Sequence, residues 1–213
     1  MKVLIACERS GTVRNAFIKK GHDAISCDIQ ASLDSGPHYQ GDVKDILDDD
    51  WDLLIAHPPC TYLTTTGNKW FYHPDDKDLP VEQRRPHPRF PNRRVDREEG
   101  ADFFMLFANC DHIDKICIEN PVGIMSTRWR KPDQIIQPYH FGHNAAKKTC
   151  LWLKNLPVLE HTDVVEPDYV TFKSGKRMSK WYLDATSLSK EERSNVRSQT
   201  FQGIADAMAN QWG

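Results

Sequence analysis

The sequence predicts an α/β fold in which helices flank a mainly parallel sheet. Its 213 residues suit a single domain, residues 1–213, with a sizeable core. The chain opens with a strand–helix–strand pattern, and two later apolar runs are short enough for buried parallel strands. Both runs end at proline or at a charged residue. The carboxyl edge of the predicted sheet is therefore expected to carry the functional groups.

The first 28 residues form the strand–helix–strand unit. Residues 2–7 and 22–28 have strand patterns, and residues 12–20 repeat apolar side chains at helical spacing. The second strand ends in Asp28, and an acid at this place can accept hydrogen bonds from the ribose of a nucleotide-like cofactor. Gly11 is the only glycine in the first turn, so glycine content alone is a poor fingerprint of such a site.

The central stretch of the chain is the apolar run 53–56 followed by Pro58, Pro59 and Cys60. Proline cannot donate a hydrogen bond to a sheet, so the strand stops there and Cys60 lies just past its carboxyl end. Ligands bind at this edge of open α/β sheets, which makes Cys60 a candidate nucleophile. The alternative is a small buried cysteine that only packs.

Two more acids occur near predicted strand ends. Asp42 lies in the segment 41–46 that precedes the central strand, and Glu119 ends a strand at 114–119 that Pro121 closes. Both are expected near the carboxyl edge of the sheet. For Asp28 and Asp42 the alternative is a solvated loop acid or a helix cap.

The remaining predicted elements are two helices and a strand pair. Residues 99–110 and 201–212 place apolar side chains on one helical face. Residues 135–141 and 148–153 predict two strands, with an antiparallel arrangement expected. Residues 157–195 show no regular pattern and are expected to be irregular.

A stretch at about 69–98 is rich in proline, arginine and aromatic residues. Its prolines oppose regular structure, and cations interleaved with aromatic rings are what the binding of unpaired bases requires. The alternative is a solvated, mobile loop. The five arginines of its centre, where no acid occurs, are Arg84, Arg85, Arg89, Arg93 and Arg94.

Composition excludes several classes of function. A formal net charge of -2 gives no global basic field, so nucleic acid would have to meet a local patch. None of the six cysteines forms a C-x-x-C pair, so neither a metal site nor a redox pair is indicated. No apolar run approaches the ~18–20 residues of a membrane span and no secretion signal is visible, so a cytoplasmic location is expected.

A thiol at one strand end and a carboxyl at another can face the same crevice, an arrangement that suits chemistry on a pyrimidine. A thiolate can add to C6 of the ring while the carboxyl hydrogen-bonds N3, which leaves C5 able to take a methyl group from a sulfonium. A free thiol with a pKa of ~8.5 is mostly protonated at neutral pH, so some activation is needed. A dry pocket is expected to raise the pKa of Glu119 and keep it partly protonated.

The order of these motifs resembles the cytosine-C5 DNA methyltransferase family, in particular its short members from phages and prophages. The pair that carries the resemblance is Pro58-Pro59-Cys60 followed by Glu119-Asn120-Pro121. Further segments similar to the family are Ala6–Gly11, Asp28, Gly41–Val43, Gln137–Trp152 and Gln199–Ala205. The resemblance implies a Rossmann-like methyltransferase fold that uses S-adenosylmethionine and acts on DNA, in a bacterial or phage-infected cell.

The resemblance also implies a role for each motif. Cys60 would attack C6 and Glu119 would contact N3 of the base. Asp28 would bind the ribose hydroxyls and Asp42 the adenine amine of S-adenosylmethionine, and the segment around Thr200 would close the cofactor pocket. The cofactor-binding residues implied in this way are Ala6, Cys7, Glu8, Ser10, Gly11, Asp28, Ile29, Asp42, Val43 and Pro58.

The chain departs from the family in its contacts to DNA. Lys147 and Lys148 are the nearest match to the paired arginines that lie close to the target base in the family. A separate target-recognition domain is missing, and only the segment 157–195 stands in its place. Such a chain can act on duplex or single-stranded DNA, depend on a recognition partner, or methylate a free cytidine nucleotide. A catalytically weak or inactive DNA- or protein-binding relic of the fold is the other interpretation.

Overall fold

A seven-stranded sheet forms the centre of the molecule, for which a computed structural model describes all residues, Met1–Gly213. The strands are β1 (Lys2–Ala6), β2 (Asp23–Asp28), β3 (His38–Gln40), β4 (Leu53–Ala56), β5 (Lys115–Pro121), β6 (Gln134–Ile136) and β7 (Thr149–Lys154). Their spatial order is β3-β2-β1-β4-β5-β7-β6, and only β7 runs antiparallel to its neighbours. The predicted fold class, a Rossmann-like α/β fold with a mainly parallel sheet, is confirmed.

Helices cover both faces of this sheet. They are α1 (Thr12–Lys19), α2 (Arg93–Ala108), α3 (Met125–Arg128), α4 (Lys180–Thr186), α5 (Lys190–Ser198) and α6 (Gln202–Trp212). Five short 3-10 helices occupy Val43–Asp45, Thr65–Trp70, Pro74–Asp76, Val81–Gln83 and Pro138–His140. None of the helices has the length and apolar character needed to cross a membrane.

Alternate residues of β1 belong to two separate parts of the core. Val3 and Ile5 pack with α1 and α6 on one face, whereas Leu4 and Ala6 pack with α2 on the other. A strand that is buried on both faces has no position where a polar side chain would reach water, which explains its unbroken apolar run. The polar groups are therefore left to the strand ends, and the strand order reverses between β1 and β4, where ligands bind in such sheets.

Two segments predicted to be irregular contain regular structure. Helix α2 begins at Arg93 and not at residue 99, because the last proline of the basic stretch is Pro91 and the residues after it favour helix. The segment 157–195 contains a hairpin of β8 (Tyr169–Thr171) and β9 (Arg177–Ser179), followed by α4 and most of α5. The capping box of Ser189 and Glu192 begins α5.

The predicted strand at 135–141 is shorter than expected. It ends at Ile136, because Pro138 cannot donate to the sheet and begins a 3-10 turn instead. The antiparallel pairing of this strand, β6, with β7 is confirmed.

Candidate active site

Cys60 and Glu119 lie at the carboxyl ends of two adjacent parallel strands. Ala56 of β4 pairs with Ile118 of β5, so the turn after β4 and the Glu119 side chain meet at the same edge of the sheet. The side-chain amide of Asn120 donates a 2.7 Å hydrogen bond to the carbonyl of Pro58. The Pro58-Pro59-Cys60 turn is thus fixed to the strand that carries Glu119.

The backbone beyond the two residues is also joined. The Cys60 carbonyl accepts hydrogen bonds from the amides of Leu63 (3.0 Å) and Thr64 (3.1 Å), which closes a tight turn. The Leu63 carbonyl in turn accepts 2.9 Å from Ile124, and a Cβ added at Gly123 would lie 2.4 Å from that oxygen. Only glycine lets the segment after Glu119 approach the turn after Cys60 this closely.

The surroundings of Cys60 disfavour its thiolate. Burial raises the pKa of the Cys60 thiol, and the nearby charge of Glu119 raises it further, while Lys147 opposes both effects. The thiol is therefore protonated at neutral pH in the free protein. Activation has to come from the substrate or from a proton acceptor in the site.

The expectation of a raised pKa for Glu119 is wrong. Burial does raise it, but a hydrogen bond from His57 and the positive charge of Lys147 outweigh burial, so that the pKa of Glu119 lies below its usual range. Glu119 is a carboxylate at neutral pH before substrate binds. The prediction considered the dry pocket alone and missed two partners that come from distant parts of the chain.

His57 is the site residue that sequence reasoning missed. Its side chain is 9% exposed, and its Nδ1 lies 3.0 Å from Oε2 of Glu119. Its Nε2 is buried and has no hydrogen-bond partner. The signal in the sequence was a polar ring placed between a buried strand and two prolines, directly before Cys60.

The acids predicted to bind the cofactor lie on adjacent segments at the end of β2. The Asp28 carbonyl accepts 3.1 Å from the amide of Gly41, the residue before Asp42. Burial raises the pKa of the Cys7 thiol, and the charges of Asp28 and Asp42 raise it further. Asp28 accepts 2.9 Å from the Gln30 amide and Asp42 accepts 3.0 Å from the Lys44 amide, in each case through Oδ1, and the second oxygen of each acid makes no hydrogen bond in the protein.

The other residues predicted around these acids differ in exposure. Ile29 is 75% exposed, an unusual position for a large apolar side chain directly after Asp28. Ala6, Val43 and Pro58 are buried. Cys7 has φ 60°, the left-handed conformation that glycine adopts without strain, so the turn after β1 keeps a glycine-like backbone without a glycine.

A buried arginine fixes the segment between Asp28 and Asp42. The Arg14 guanidinium is fully buried and donates to Ser26 (2.8 Å) and to the carbonyl of Pro37 (3.2 Å), and it forms an ion pair with Asp34. These contacts hold the segment after β2 against α1. The buried arginine therefore fixes the path of the chain between Asp28 and Asp42.

Glu8 and Ser10 serve the helix that follows them, which corrects their assignment as cofactor contacts. Glu8 is 6% exposed, and its carboxylate accepts hydrogen bonds from the amides of Val13 (2.7 Å) and Arg14 (3.2 Å). Ser10 donates to the same carboxylate at 3.2 Å. The first amides of α1 are thus already hydrogen-bonded to a carboxylate and are not free to bind the polar tail of a cofactor. Gly11, with φ 72°, supplies the left-handed turn before α1.

A pocket of about 270 Å³ separates the start of α1 from the segment that leads into α6. Its lining residues are Thr12, Trp181, Val196, Gln199, Thr200, Phe201 and Gln202. A smaller pocket beside it is lined by Glu119, Lys147 and Thr149, together with Thr200 and Phe201. The segment around Thr200 therefore lies between the α1 side of the crevice and Glu119.

Three of the five arginines predicted to bind nucleic acid are engaged within the protein. Arg93 is 5% exposed and donates 2.9 Å to the Thr61 carbonyl, so its assignment to a DNA surface is wrong. Arg85 forms a two-pronged ion pair with Asp76, and Arg84 donates to two backbone carbonyls. The acid that neutralises Arg85 lies outside the acid-free centre of the stretch, which is why the sequence did not reveal it.

The remaining predicted DNA-binding cations are either exposed or lie near Cys60 and Glu119. The exposed ones, without an acidic partner, are Arg89, Arg94 and Lys148. Arg94 lies over the ring of Tyr72 at 4.9 Å and Arg89 over Phe90 at 5.7 Å, so aromatic and cationic groups are combined as predicted. Lys147 acts on both Cys60 and Glu119, and its Nζ donates 3.0 Å to the Arg197 carbonyl.

Comparison with known proteins gives only distant similarities. No protein-family model matches the chain, and no curated protein matches it. Among solved structures, one described as a DNA modification methyltransferase encoded within an E. coli prophage is similar, with 14% identity over 78% of this chain and 52% of that one, and a TM-score of 0.44. A mutant of Spodoptera frugiperda DNMT2 gives 13% identity over 80% of this chain and 58% of that one, with a TM-score of 0.42.

The chain thus spans little more than half the length of these two structures. A likeness of this degree carries no argument about activity.

Proposed function

We propose that the chain transfers a methyl group from S-adenosylmethionine to C5 of cytosine in DNA, through a covalent adduct between Cys60 and the base. The observation that carries the proposal is the meeting of a thiol and a carboxylate at two adjacent strand ends, joined by the Asn120–Pro58 hydrogen bond. A pyrimidine held between them offers C6 to Cys60 and N3 to Glu119.

The protein's part in the reaction is to supply the attacking electron pair of Cys60 and to move the protons at N3 and at C5. The sulfur of Cys60 forms a bond to C6 while N3 gains a proton from Glu119, so the ring becomes an enamine that is nucleophilic at C5. After C5 has been methylated, a base removes its proton. The C6–sulfur bond then breaks, N3 gives back its proton, and Cys60 is released.

The two shifted pKa values determine which of the two groups, Cys60 or Glu119, holds the proton at rest. At rest the thiol of Cys60 holds the proton and Glu119 is ionised, because the pKa of the thiol is raised and that of the carboxyl is lowered. The reactive state, thiolate and carboxylic acid, contains the same number of protons. Between the two pKa values the population of the reactive state is therefore independent of pH, and a broad plateau is expected in the rate of methyl transfer.

We place S-adenosylmethionine at the two acids that follow β2, Asp28 and Asp42. Asp28 and Asp42 each keep one free carboxylate oxygen for hydroxyl or amine donors, and exposed Ile29 offers an apolar contact to a flat ring. Bound there, S-adenosylmethionine supplies an electrophilic methyl group. Pro58, which would line the cofactor pocket, stands two residues before Cys60, so the cofactor and the base would share one crevice.

Replacing Asp28 with alanine is expected to weaken binding of S-adenosylmethionine by roughly 10- to 100-fold, because hydrogen bonds to a charged acceptor are lost. Calorimetry measures the change directly. Asp23→Ala is the matched control, since Asp23 is exposed at the opposite end of the same strand. Equal affinities in the two variants would remove Asp28 from the cofactor site.

We assign contacts with DNA phosphates to the exposed cations, among them Arg89 and Arg94. Substituting both Arg89 and Arg94 with alanine is expected to lower the slope of log affinity against log salt concentration by about 1.8, or 0.9 for each lost contact with duplex DNA. Arg85→Ala is the control, because Asp76 already neutralises that arginine. A slope that changes equally in both proteins would contradict the assignment.

One observation favours the second candidate function, a DNA- or protein-binding relic without methyl transfer. Glu8 fills the start of α1 with a negative charge, and the sequence has few glycines there. A titration that shows no binding of S-adenosylmethionine at millimolar concentration would support this candidate. Methylation of a free cytidine nucleotide remains a third candidate, which product analysis with nucleotide and DNA substrates distinguishes.

A further inference from the structure

The two carboxylate oxygens of Glu119 have different environments. Oε2 lies 3.0 Å from Nδ1 of His57. Glu119 also lines the small pocket beside Thr200, together with Thr149, whose hydroxyl contributes to the lowered pKa of the carboxyl. Oε1 is the oxygen that His57 does not hold, and it is the one that a base entering the crevice can meet.

The hydrogen bond to Glu119 fixes where His57 carries a proton. An ionised carboxylate only accepts, so the proton between the two groups belongs to Nδ1, which donates it to Oε2 at 3.0 Å. Nε2 is buried and has no partner, so no second hydrogen bond of the ring competes for its orientation.

We propose that His57 is the positioning residue of the catalytic carboxyl: its Nδ1–H holds Oε2 of Glu119 and leaves Oε1 as the atom that meets N3 of the base. The proposal rests on the function proposed above and adds a residue to it. The proton that Glu119 takes up when substrate binds then resides on Oε1, because Oε2 is occupied as an acceptor.

Several other groups act on the carboxyl of Glu119. The charge of Glu119 raises the pKa of three thiols, those of Cys60, Cys117 and Cys150. The positive charge of Lys147, just before β7, lowers the pKa of Glu119. Lys147 supplies a positive charge without fixing an oxygen, since its Nζ donates to the Arg197 carbonyl. Thr149 also acts on the carboxyl and lowers its pKa, but its hydroxyl donates to the Lys147 carbonyl at 3.3 Å. The 3.0 Å hydrogen bond from His57 is therefore the contact that holds one of the two oxygens.

The first test uses the wild-type protein without substrate. Nitrogen-15 NMR of labelled histidine is expected to show a proton on Nδ1 of His57. Carbon-13 NMR of labelled glutamate is expected to show the pKa of Glu119 shifted upward in His57→Phe, because the donor is lost. A His57 ring without a proton on Nδ1, or an unchanged Glu119 titration in the variant, would overturn the proposal.

The second test uses two amides as matched variants. His57→Asn places an amide N–H near the position of Nδ1, whereas His57→Gln places it near the position of Nε2. Single-turnover methyl transfer is expected to stay within about tenfold of wild type in His57→Asn and to fall about 100-fold in His57→Gln, the cost of a misplaced catalytic group. Equal rates in the two variants would contradict positioning through Nδ1.

The two tests separate this inference from the proposed function. If the wild-type chain transfers no methyl group, the proposed function fails, and the NMR titration still decides whether His57 holds Glu119. If methyl transfer occurs and the titration shows no coupling, only the inference about His57 fails.

Discussion

Cys60→Ser is expected to lower methyl transfer by at least about 10³-fold, the order of loss seen when a covalent nucleophile is removed. A serine hydroxyl is far less acidic than a thiol, and the site already disfavours an anion at this position through burial and the charge of Glu119. Transfer of a labelled methyl group to DNA measures the effect. Binding of S-adenosylmethionine is expected to stay nearly unchanged, because its proposed contacts lie at Asp28 and Asp42.

The matched control for this change is Cys110→Ser. Cys110 is buried after the end of α2, where its thiol contacts the Leu106 carbonyl at 3.2 Å, and it has no place in the proposed chemistry. Its serine variant is expected to keep methyl transfer near the wild-type rate. Turnover in Cys60→Ser comparable to that of Cys110→Ser would eliminate the covalent mechanism.

Glu119→Gln is expected to slow methyl transfer by about 10²- to 10⁴-fold, the usual contribution of a general acid–base group. The glutamine amide can still hydrogen-bond N3 but cannot deliver a proton to it. The same change removes a negative charge next to Cys60, so the pKa of the Cys60 thiol is expected to fall. Alkylation of Cys60 should therefore become faster at neutral pH while methyl transfer becomes slower.

These opposite changes distinguish loss of acid catalysis from general damage to the site. Glu98→Gln serves as control, because Glu98 forms an exposed ion pair with Arg128. It is expected to change neither rate. If Glu119→Gln slowed both alkylation and methyl transfer, the carboxylate would be a structural support of the Cys60 turn and not a proton donor.

The strand ends could be predicted from the sequence because their signals are local. An apolar run followed by two prolines places Cys60 at the carboxyl end of β4, and the structure confirms that strand at Leu53–Ala56. A charged residue and a proline mark the end of β5 in the same way. The parallel order of the strands then brings both ends to one crevice without further information.

The electrostatics of the site could not be predicted because they depend on distant parts of the chain. The pKa of Glu119 is lowered by His57 and Lys147, which come from different strand connections. Glu8 seemed to face the cofactor until its contacts with the amides of α1 were known. Arg93 was expected to bind nucleic acid because no acid lies near it in the sequence, but in the fold its guanidinium lies 5.5 Å from the centre of the Phe71 ring.

The covalent adduct itself provides the most direct test of the proposed mechanism. The protein is incubated with S-adenosylmethionine and an oligonucleotide that contains 5-fluorocytosine, whose fluorine replaces the C5 proton that has to leave. We expect a stable complex with the mass of protein, DNA and one added methyl group, with the link mapped to Cys60 by peptide mass spectrometry. A methylated product formed without such a complex, or a link to a cysteine other than Cys60, would contradict it.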